Sequence, residues 1–255
     1  LFNSLMAFIA ICVAASSTYI INDLLDISSD RQHQRKRFRA LACGSASIKN
    51  AFYVALTLLI GNIIFMVFMG SKFAVFIAIY YILTTIYSIR IKNILLLDIF
   101  FLAGLYTLRL VLGGVATDIV VSIWLFSFSI FFFLSLAAVK RQGELVNLAS
   151  RGLNIPLGRG YHIDDLPIIS TSALCSGYAS IIIMLLYINS PQVLNVFTDP
   201  VPLWCICAIL LFWITRLVLV AQRGFMSDDP IIFASKDRIT QICFLVIVCC
   251  LTLSI

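Results

Sequence analysis

The sequence N-D-L-L-D-I-S-S-D-R-Q-H-Q-R-K-R-F-R-A-L-A-C-G, residues 22–44, follows directly on a long apolar run. Asp23, Asp26 and Asp30 are spaced by three and four residues, so a helix would place all three on one face. Carboxylates that close repel one another, and a divalent cation removes the repulsion. Mg²⁺ prefers hard oxygen ligands and is usually bound by one or two carboxylates together with phosphate oxygens of a substrate. The stretch therefore predicts a magnesium site.

Basic residues follow the aspartates at once: Arg31, Arg35, Lys36, Arg37 and Arg39. Arginine binds phosphate oxygens in a bidentate manner, so this segment suits a diphosphate. The alternative is a juxtamembrane loop whose basic residues only set the topology of the chain. The regular aspartate spacing and the adjoining Asn22 favour a site for metal and phosphate.

Composition indicates a polytopic membrane protein. Hydrophobic residues make up 62% of the chain and charged residues 12%, whereas a soluble domain is close to half apolar and a quarter charged. Apolar runs long enough to cross a bilayer predict eight helices. They cover residues 1–22, 48–69, 73–89, 97–116, 122–139, 167–188, 202–221 and 239–255.

The distribution of Lys and Arg predicts the orientation. Basic residues cluster in every second connection, within 31–49, 90–92, 140–159 and 216–238, whereas the other loops contain only Lys72. By the positive-inside rule the basic loops face the cytoplasm. The net charge of +6 is then explained by topology and phosphate binding. A nucleic-acid partner is excluded, because no soluble basic surface remains to hold a duplex.

Four further candidates lie at the third and fourth predicted spans. Tyr87 precedes a short basic turn, residues 89–93, that either only sets topology or brings Lys92 to the phosphates. Asp98 and Arg109 are eleven residues apart, three helical turns, and so share a face, with Arg109 about 16 Å deeper. An ionisable residue inside a span is a functional hypothesis by default, and a structural ion pair is the alternative for Arg109.

The later cytoplasmic loops repeat this chemistry with fewer acids. Lys140 and Arg141 stand with Glu144 where a predicted helix leaves the membrane, at the start of a loop predicted to reach Asp165. Asp237 and Arg238 precede the last span. Lys140, Arg141 and Glu144 are candidates for a phosphate contact or for sharing the metal.

Residues 22–44 resemble the first signature of the UbiA superfamily of intramembrane prenyltransferases, N-D-x-x-D-x-x-x-D followed by a basic stretch and a glycine. Gln34 and Ala40 depart from it, because proline is common at those positions. The resemblance implies an all-α transmembrane helical bundle of nine spans, with cytoplasmic polar loops capping a central cavity. It also implies Mg²⁺ bridging the aspartates and a polyprenyl phosphate or diphosphate. Since the chain starts at Leu1 and offers eight spans, residues 1–255 are expected to be a single domain lacking its N-terminal part.

Three patterns are similar to the branch that transfers phosphoribosyl onto decaprenyl phosphate. They are K-R-x-x-E at residues 140–144, L-D-x-x-x-L-A-x-x-x-x-L-R at residues 97–109, and D-R at residues 237–238. Residues 159–238 also resemble the membrane half of proteins in which a soluble haloacid-dehalogenase-type phosphatase precedes a UbiA domain. A phosphatase-like domain is therefore expected before Leu1.

The combined prediction assigns three roles. The catalytic and metal-binding residues are Asp23, Asp26 and Asp30, with Glu144 as a further metal ligand. The predicted phosphate ligands are Asn22, Arg31, Lys36, Arg37, Arg39, Lys92, Arg109, Lys140 and Arg141. Supporting positions are Tyr87, Asp98, Asp237 and Arg238.

Two reactions fit these residues. In one, a polyprenyl phosphate attacks phosphoribosyl diphosphate; in the other, a polyprenyl diphosphate donates its prenyl group to an aromatic or other small acceptor. Aromatic prenyltransferases have a second Asp-rich motif after the sixth helix, where this chain offers only Glu144 before Asp164, so phosphoribosyl transfer is preferred. A transporter that uses Asp98 and Arg109 is the alternative of another class. The expected location is the bacterial inner membrane, with the active-site loops in the cytoplasm.

Overall fold

The computed structural model describes residues 2–32, 36–150, 152–153, 159–226 and 229–254, and the regular elements in these ranges are all helical. The long helices are α1 (Phe2–Leu25), α3 (Ile48–Met69), α4 (Ser71–Ile89), α5 (Leu97–Thr117), α6 (Ile123–Ala149), α7 (Leu166–Ile188), α8 (Val201–Gln222) and α10 (Arg238–Ser254). The described order also contains two short α-helices, α2 (Ile27–Gln32) and α9 (Pro230–Lys236). Four short 3-10 turns lie at Lys36–Phe38, Ile91–Asn93, Ile163–Asp165 and Pro191–Asn195.

Seven of the described helices are each long and apolar enough to span a membrane. The short α9 and α10 meet at a bend of 84° and together form an eighth span if the pair is one span. The prediction of an all-helical membrane protein is therefore confirmed, with seven or eight spans. Hydropathy identified the spans because a bilayer requires about 20 consecutive apolar residues of each.

The predicted end of the fifth span was wrong. Hydropathy placed it at residue 139, whereas α6 continues to Ala149, so that Lys140, Arg141 and Glu144 lie on the helix and not in a loop. The ten added residues, K-R-Q-G-E-L-V-N-L-A, are mostly good helix formers. Hydropathy falls at the first charge, but the helical hydrogen bonds continue.

The chain divides into two compact units. Unit 1 comprises Leu1–Phe101, Leu105–Val121 and Leu157–Gly160, and unit 2 comprises Leu102–Gly104, Ser122–Pro156 and Tyr161–Ile255.

Unit 1 is built around a small-residue face of α1. Ala7, Ala10 and Ala14 recur every three or four residues, are buried, and belong to one core with Phe73 and Ile77 of α4. Small side chains let membrane helices approach closely, and polar side chains then hydrogen-bond across them. Here the buried Asn62 of α3 donates from Nδ2 to the carbonyl oxygen of Ala10 at 2.8 Å. Unit 1 thus fixes the direction in which α1 delivers the acidic stretch.

A tight helix contact in unit 2 lies at Gly177 of α7. A Cβ at this position would lie 2.5 Å from Cγ2 of Ile214 in α8 and 2.9 Å from Oγ of Ser135 in α6. The Ser135 hydroxyl also donates to the carbonyl oxygen of Ala173 at 2.7 Å. The buried core around these contacts includes Ile181, Leu203, Ile206, Leu210 and Ile214.

A cavity of about 580 Å³ lies in unit 1 where α3 meets α4. Its lining includes Met6 near the start of α1, Gly70 between α3 and α4, Lys72 in the first turn of α4, and Asp118 after the end of α5. The acidic stretch lies at the opposite end of α1. This cavity is therefore not the predicted active site.

We expect Gly177→Ala to destabilise the protein by about 1–3 kcal/mol, because overpacking a tight core forces side chains or backbone to move. Thermal unfolding in detergent would measure the effect. Gly61→Ala in α3 is the matched control, since no heavy atom lies within 4 Å of its added Cβ. Equal unfolding temperatures for the two variants would contradict the tight packing at Gly177.

Candidate functional site

The acidic stretch keeps a nearly continuous helical backbone. The amide of Asp26 donates to the carbonyl oxygen of Asn22 at 2.9 Å, and the amide of Asp30 donates to that of Asp26 at 2.8 Å, although α1 ends at Leu25 and α2 begins at Ile27. The side chains of Asp23 and Asp30, seven residues apart, therefore return to the same face.

Arg39 joins two of the three aspartates. Its Nη1 donates to Oδ1 of Asp23 and to Oδ2 of Asp30, both at 2.9 Å. Oδ1 of Asp23 and Oδ2 of Asp30 are therefore no farther apart than twice 2.9 Å. The Asp30 side chain is 6% exposed and that of Asp23 is 37% exposed. A carboxylate as buried as Asp30 must be paired, and the guanidinium supplies the pair.

Asp26 has other partners. It forms an ion pair with Nζ of Lys92 and accepts a hydrogen bond from Nδ2 of Asn22 at 3.1 Å. Lys92 is 66 residues further along the chain, in the short helical turn Ile91–Asn93 that follows α4. The structure therefore brings both Lys92 and Asn22 to Asp26, and their contact with phosphate stays a prediction.

Arg31 and Arg37, two other cations predicted in the first loop, make contacts with residues other than the three aspartates. Nε of Arg31 donates to the carbonyl oxygen of Ala42 at 3.1 Å, which closes the loop. The guanidinium of Arg37 lies 4.8 Å from the ring centroid of Phe38. Lys36 begins the helical turn Lys36–Phe38. Arg35 lies outside the described residues.

Sequence analysis did not assign Arg159 to the site. Its Nη1 donates to the carbonyl oxygen of Lys92 at 3.1 Å and lies 3.9 Å from Oδ2 of Asp98. The Asp98 side chain is fully buried at the first turn of α5. A cation 67 residues from its contact carries no local pattern that would identify it.

Arg109 binds aromatic side chains within unit 1. It donates from Nη2 to the hydroxyl of Tyr80 at 2.8 Å and from Nε to the same oxygen at 3.2 Å. Its guanidinium lies 5.1 Å from the ring centroid of Tyr106. Cation–π contacts and hydroxyl groups compensate an arginine inside a span. The ring of Tyr87 stacks on Phe101 at 6.3 Å between centroids.

In unit 2, Lys140 pairs with Asp229 at 2.8 Å. Burial acts to raise the pKa of the Asp229 carboxyl, but the ammonium of Lys140 and the amides of Ile231 and Ile232 outweigh it, so this pKa lies below its ordinary value. Sequence analysis did not single out Asp229 as the partner of Lys140.

Arg141 pairs with Glu144 one helical turn later, and its guanidinium lies 5.4 Å from the ring centroid of Tyr161. The Arg141 side chain is only 1% exposed. This arrangement places Arg141 in the packed interior of unit 2, and Glu144 compensates its charge.

Asp237 lies at the bend between α9 and α10. Its two carboxylate oxygens accept hydrogen bonds from Arg216 at 2.7 and 3.0 Å, and the amide and hydroxyl of Thr240 donate to it at 2.8 Å. Arg238 is exposed at the first position of α10. Asp237 therefore fastens the bend to α8, which is a structural role.

Two carboxylates of unit 1, those of Asp23 and Asp30, fit a Mg²⁺ ion. Among the described residues, no three His, Cys, Asp or Glu side chains lie close enough to hold a metal ion. Asp23 and Asp30, however, each direct one oxygen at the same positive charge. Mg²⁺ at phosphate sites commonly takes one or two carboxylates and completes its shell with water and phosphate oxygens.

Comparison with known proteins places these features in a family. Residues 1–224 match the UbiA prenyltransferase family. The chain is 40% identical over 232 residues to the uncharacterized protein y4nM of Sinorhizobium fredii, which covers 91% of this chain but only 45% of that protein. It is 32% identical over 243 residues to the nodulation protein NoeC of Azorhizobium caulinodans, covering 94% of this chain and 78% of NoeC.

Two further similarities concern a named enzyme and a solved structure. The chain is 31% identical over 248 residues to the decaprenyl-phosphate phosphoribosyltransferase of Mycolicibacterium smegmatis, covering 94% of this chain and 76% of the enzyme. A UbiA homolog from Archaeoglobus fulgidus, solved bound to GPP and Mg²⁺, superposes with a TM-score of 0.71 at 13% identity, covering 99% and 86% of the two chains. At that identity the likeness concerns the fold. The chain belongs to the UbiA prenyltransferase family.

Proposed function

We propose that this protein is a Mg²⁺-dependent membrane transferase that moves phosphoribosyl from phosphoribosyl diphosphate to a polyprenyl phosphate. The observation that carries the proposal is the pairing of Asp23 and Asp30 with Arg39 and of Asp26 with Lys92. It brings together carboxylates suited to a metal and cations suited to a diphosphate. The 31% identity to the decaprenyl-phosphate phosphoribosyltransferase supports the choice of reaction.

The proposed chemistry rests on an exchange of partners. Asp23 and Asp30 would hold Mg²⁺, which when bound neutralises charge that develops on the leaving diphosphate. Arg39 and Lys92, released from the carboxylates, would then bind the phosphate oxygens. The phosphate oxygen of the lipid attacks the anomeric carbon of the sugar, and the bond to diphosphate breaks. Arg39 and Lys92 orient the leaving group and stabilise its charge.

Residues of unit 2 are proposed as further ligands. Lys140 and Arg141 are proposed as phosphate ligands, and Glu144 is proposed as a metal ligand. Each has an internal partner in the structure, so each role requires a change of partner on binding. Arg109 is proposed to bind phosphate from within its span, and the hydroxyl of Tyr80 is proposed to orient its guanidinium.

Prenyl transfer from a polyprenyl diphosphate to a small acceptor is the second candidate. It is supported by the family match over residues 1–224. Both reactions expel diphosphate, so the same aspartates and cations serve either. The family assignment leaves the transporter hypothesis without support, and the charged residues on which it rested, Asp98 and Arg109, have structural partners.

We further propose that the loops containing the site face the cytoplasm of a bacterial inner membrane. The basic connections alternate with connections that together contain only Lys72, as the positive-inside rule requires. We also propose that residues 1–255 form a single transferase domain. A soluble phosphatase-like domain is proposed to precede Leu1.

Replacing either shared carboxylate should abolish most turnover. We expect Asp23→Asn and Asp30→Asn each to lower Mg²⁺-dependent kcat/KM on the order of 100-fold, because a charged metal ligand is lost while volume is kept. Initial rates in nanodiscs with labelled phosphoribosyl diphosphate would measure this. Asp118→Asn is the control, since Asp118 is exposed at the far end of α5 and its left-handed φ of 55° is tolerated by Asn. Wild-type rates in Asp30→Asn would contradict the site.

The donor can be identified directly. Membranes would be supplied with labelled phosphoribosyl diphosphate plus polyprenyl phosphate, or with labelled polyprenyl diphosphate plus small acceptors. We expect label in lipid from the first mixture and loss of that label on chelation of Mg²⁺. Product from the second mixture alone would overturn the preferred reaction in favour of prenyl transfer.

The orientation can be tested through Cys43, which is exposed in the first basic loop. A membrane-impermeant maleimide should label Cys43 in inside-out vesicles and leave it unlabelled in right-side-out vesicles. Cys43→Ser identifies the signal, because the other cysteines remain. Labelling from the opposite side would reverse the proposed topology.

A further inference from the structure

We infer that Asp98 and Arg159 are positioning residues that hold the turn carrying Lys92 beside Asp26. The inference rests on the proposed function, because it takes Lys92 as a ligand for diphosphate. Neither Asp98 nor Arg159 needs to touch substrate. Their effect is transmitted through the backbone of the turn that carries Lys92.

The need for such positioning follows from the chemistry of lysine. Its ammonium lies at the end of four flexible methylene groups, and fixing it costs rotamer entropy. In this chain Lys92 lies in a turn of three residues, Ile91–Asn93. Within the turn, the amide of Asn93 donates to the carbonyl oxygen of Arg90 at 3.3 Å and the amide of Ile94 donates to that of Ile91 at 2.9 Å. The position of Nζ at Asp26 therefore depends on how firmly this turn is held.

Arg159 supplies a contact from outside the turn. Its Nη1 donates to the carbonyl oxygen of Lys92 at 3.1 Å. The same atom lies 3.9 Å from Oδ2 of Asp98, which is an ion pair rather than a hydrogen bond. The Arg159 side chain is 16% exposed and Asp98 is fully buried. A buried carboxylate requires a nearby cation, so Asp98 constrains the position of the Arg159 guanidinium.

Gly160 provides an independent indication of the same docking. A Cβ on this residue would lie 2.7 Å from the carbonyl oxygen of Asn93 and 3.0 Å from the amide nitrogen of Leu95. Both are backbone atoms and cannot rotate away. Residues 159 and 160 are therefore seated directly on the segment that follows Lys92, and only glycine permits this approach.

These contacts form one continuous path: the Asp98 carboxylate, the Arg159 guanidinium, the Lys92 carbonyl, the Lys92 ammonium and the Asp26 carboxylate. Groups behind a direct ligand commonly change affinity or activity by about 10–100-fold when they are removed. We expect changes of that size when Arg159 is replaced.

The test measures binding of inorganic diphosphate in the presence of Mg²⁺, by titration calorimetry of the purified chain in nanodiscs, beside steady-state kinetics. We expect Arg159→Gln to weaken diphosphate binding about tenfold or more and to raise KM for the donor more than it lowers kcat. Arg159→Lys should recover part of the loss, because the ammonium can still reach a carbonyl. Arg90→Gln is the matched control, since Arg90 is exposed in the same basic turn.

A double-mutant cycle separates positioning from general stability. If Arg159 acts through Lys92, then Arg159→Gln should add little to the loss already caused by Lys92→Gln. Independent, additive losses of diphosphate binding would overturn the inference. Gly160→Ala gives a second variant should Arg159→Gln fail to fold, and unchanged diphosphate binding in Gly160→Ala would also overturn it.

Failure of the proposed function has a different signature. If the wild-type chain does not bind diphosphate with Mg²⁺, then the proposed function and this inference fall together. If the wild type binds and Lys92→Gln weakens binding, but Arg159→Gln behaves as Arg90→Gln does, then only the positioning role is wrong.

Discussion

The ion pairs between Arg39 and the two carboxylates of Asp23 and Asp30 are the interaction on which the site depends. An apolar helix delivers three negative charges to one edge of a membrane protein, where burial makes an unpaired charge costly. Asp30 is almost fully buried, so its charge must be compensated whether or not a metal is bound. Arg39 meets this requirement from a loop that folds back over the helix end.

The same constraint recurs wherever a carboxylate is withdrawn from water. Asp98 has Arg159, Asp237 has Arg216, and Asp229 has Lys140. Breaking a buried pair leaves an uncompensated charge, which is far more costly than the pair is stabilising. The pairs therefore fix geometry more than they add stability. In unit 1 they fix the positions of groups that the proposed reaction uses.

In the proposed function, paired charges would let one set of residues serve the site both with and without metal and diphosphate. With cations on the carboxylates, the group is close to neutral and can persist at a membrane surface. A metal and a diphosphate bring one positive and one negative partner, so the carboxylates and cations can exchange contacts without leaving a charge unpaired. Sequence reasoning identified both sets of residues but treated them as ready ligands rather than as partners of each other.

The sequence alone determined the membrane class, the positions of seven long apolar helices and the location of the acidic stretch. Those properties are local: a span is a run of apolar residues, and a helical face is a spacing of three and four. Only the tertiary structure decided which cation meets which carboxylate. Lys92 reaches Asp26 across 66 residues, and Arg159 reaches the Lys92 carbonyl across 67. Arg31 and Arg39 are equally basic in sequence, yet one closes a loop and the other joins two aspartates. The identity of each residue gives the sign of its charge. The strength of an ion pair depends on the distance between the charges and on their burial, and the packing of the helices sets both.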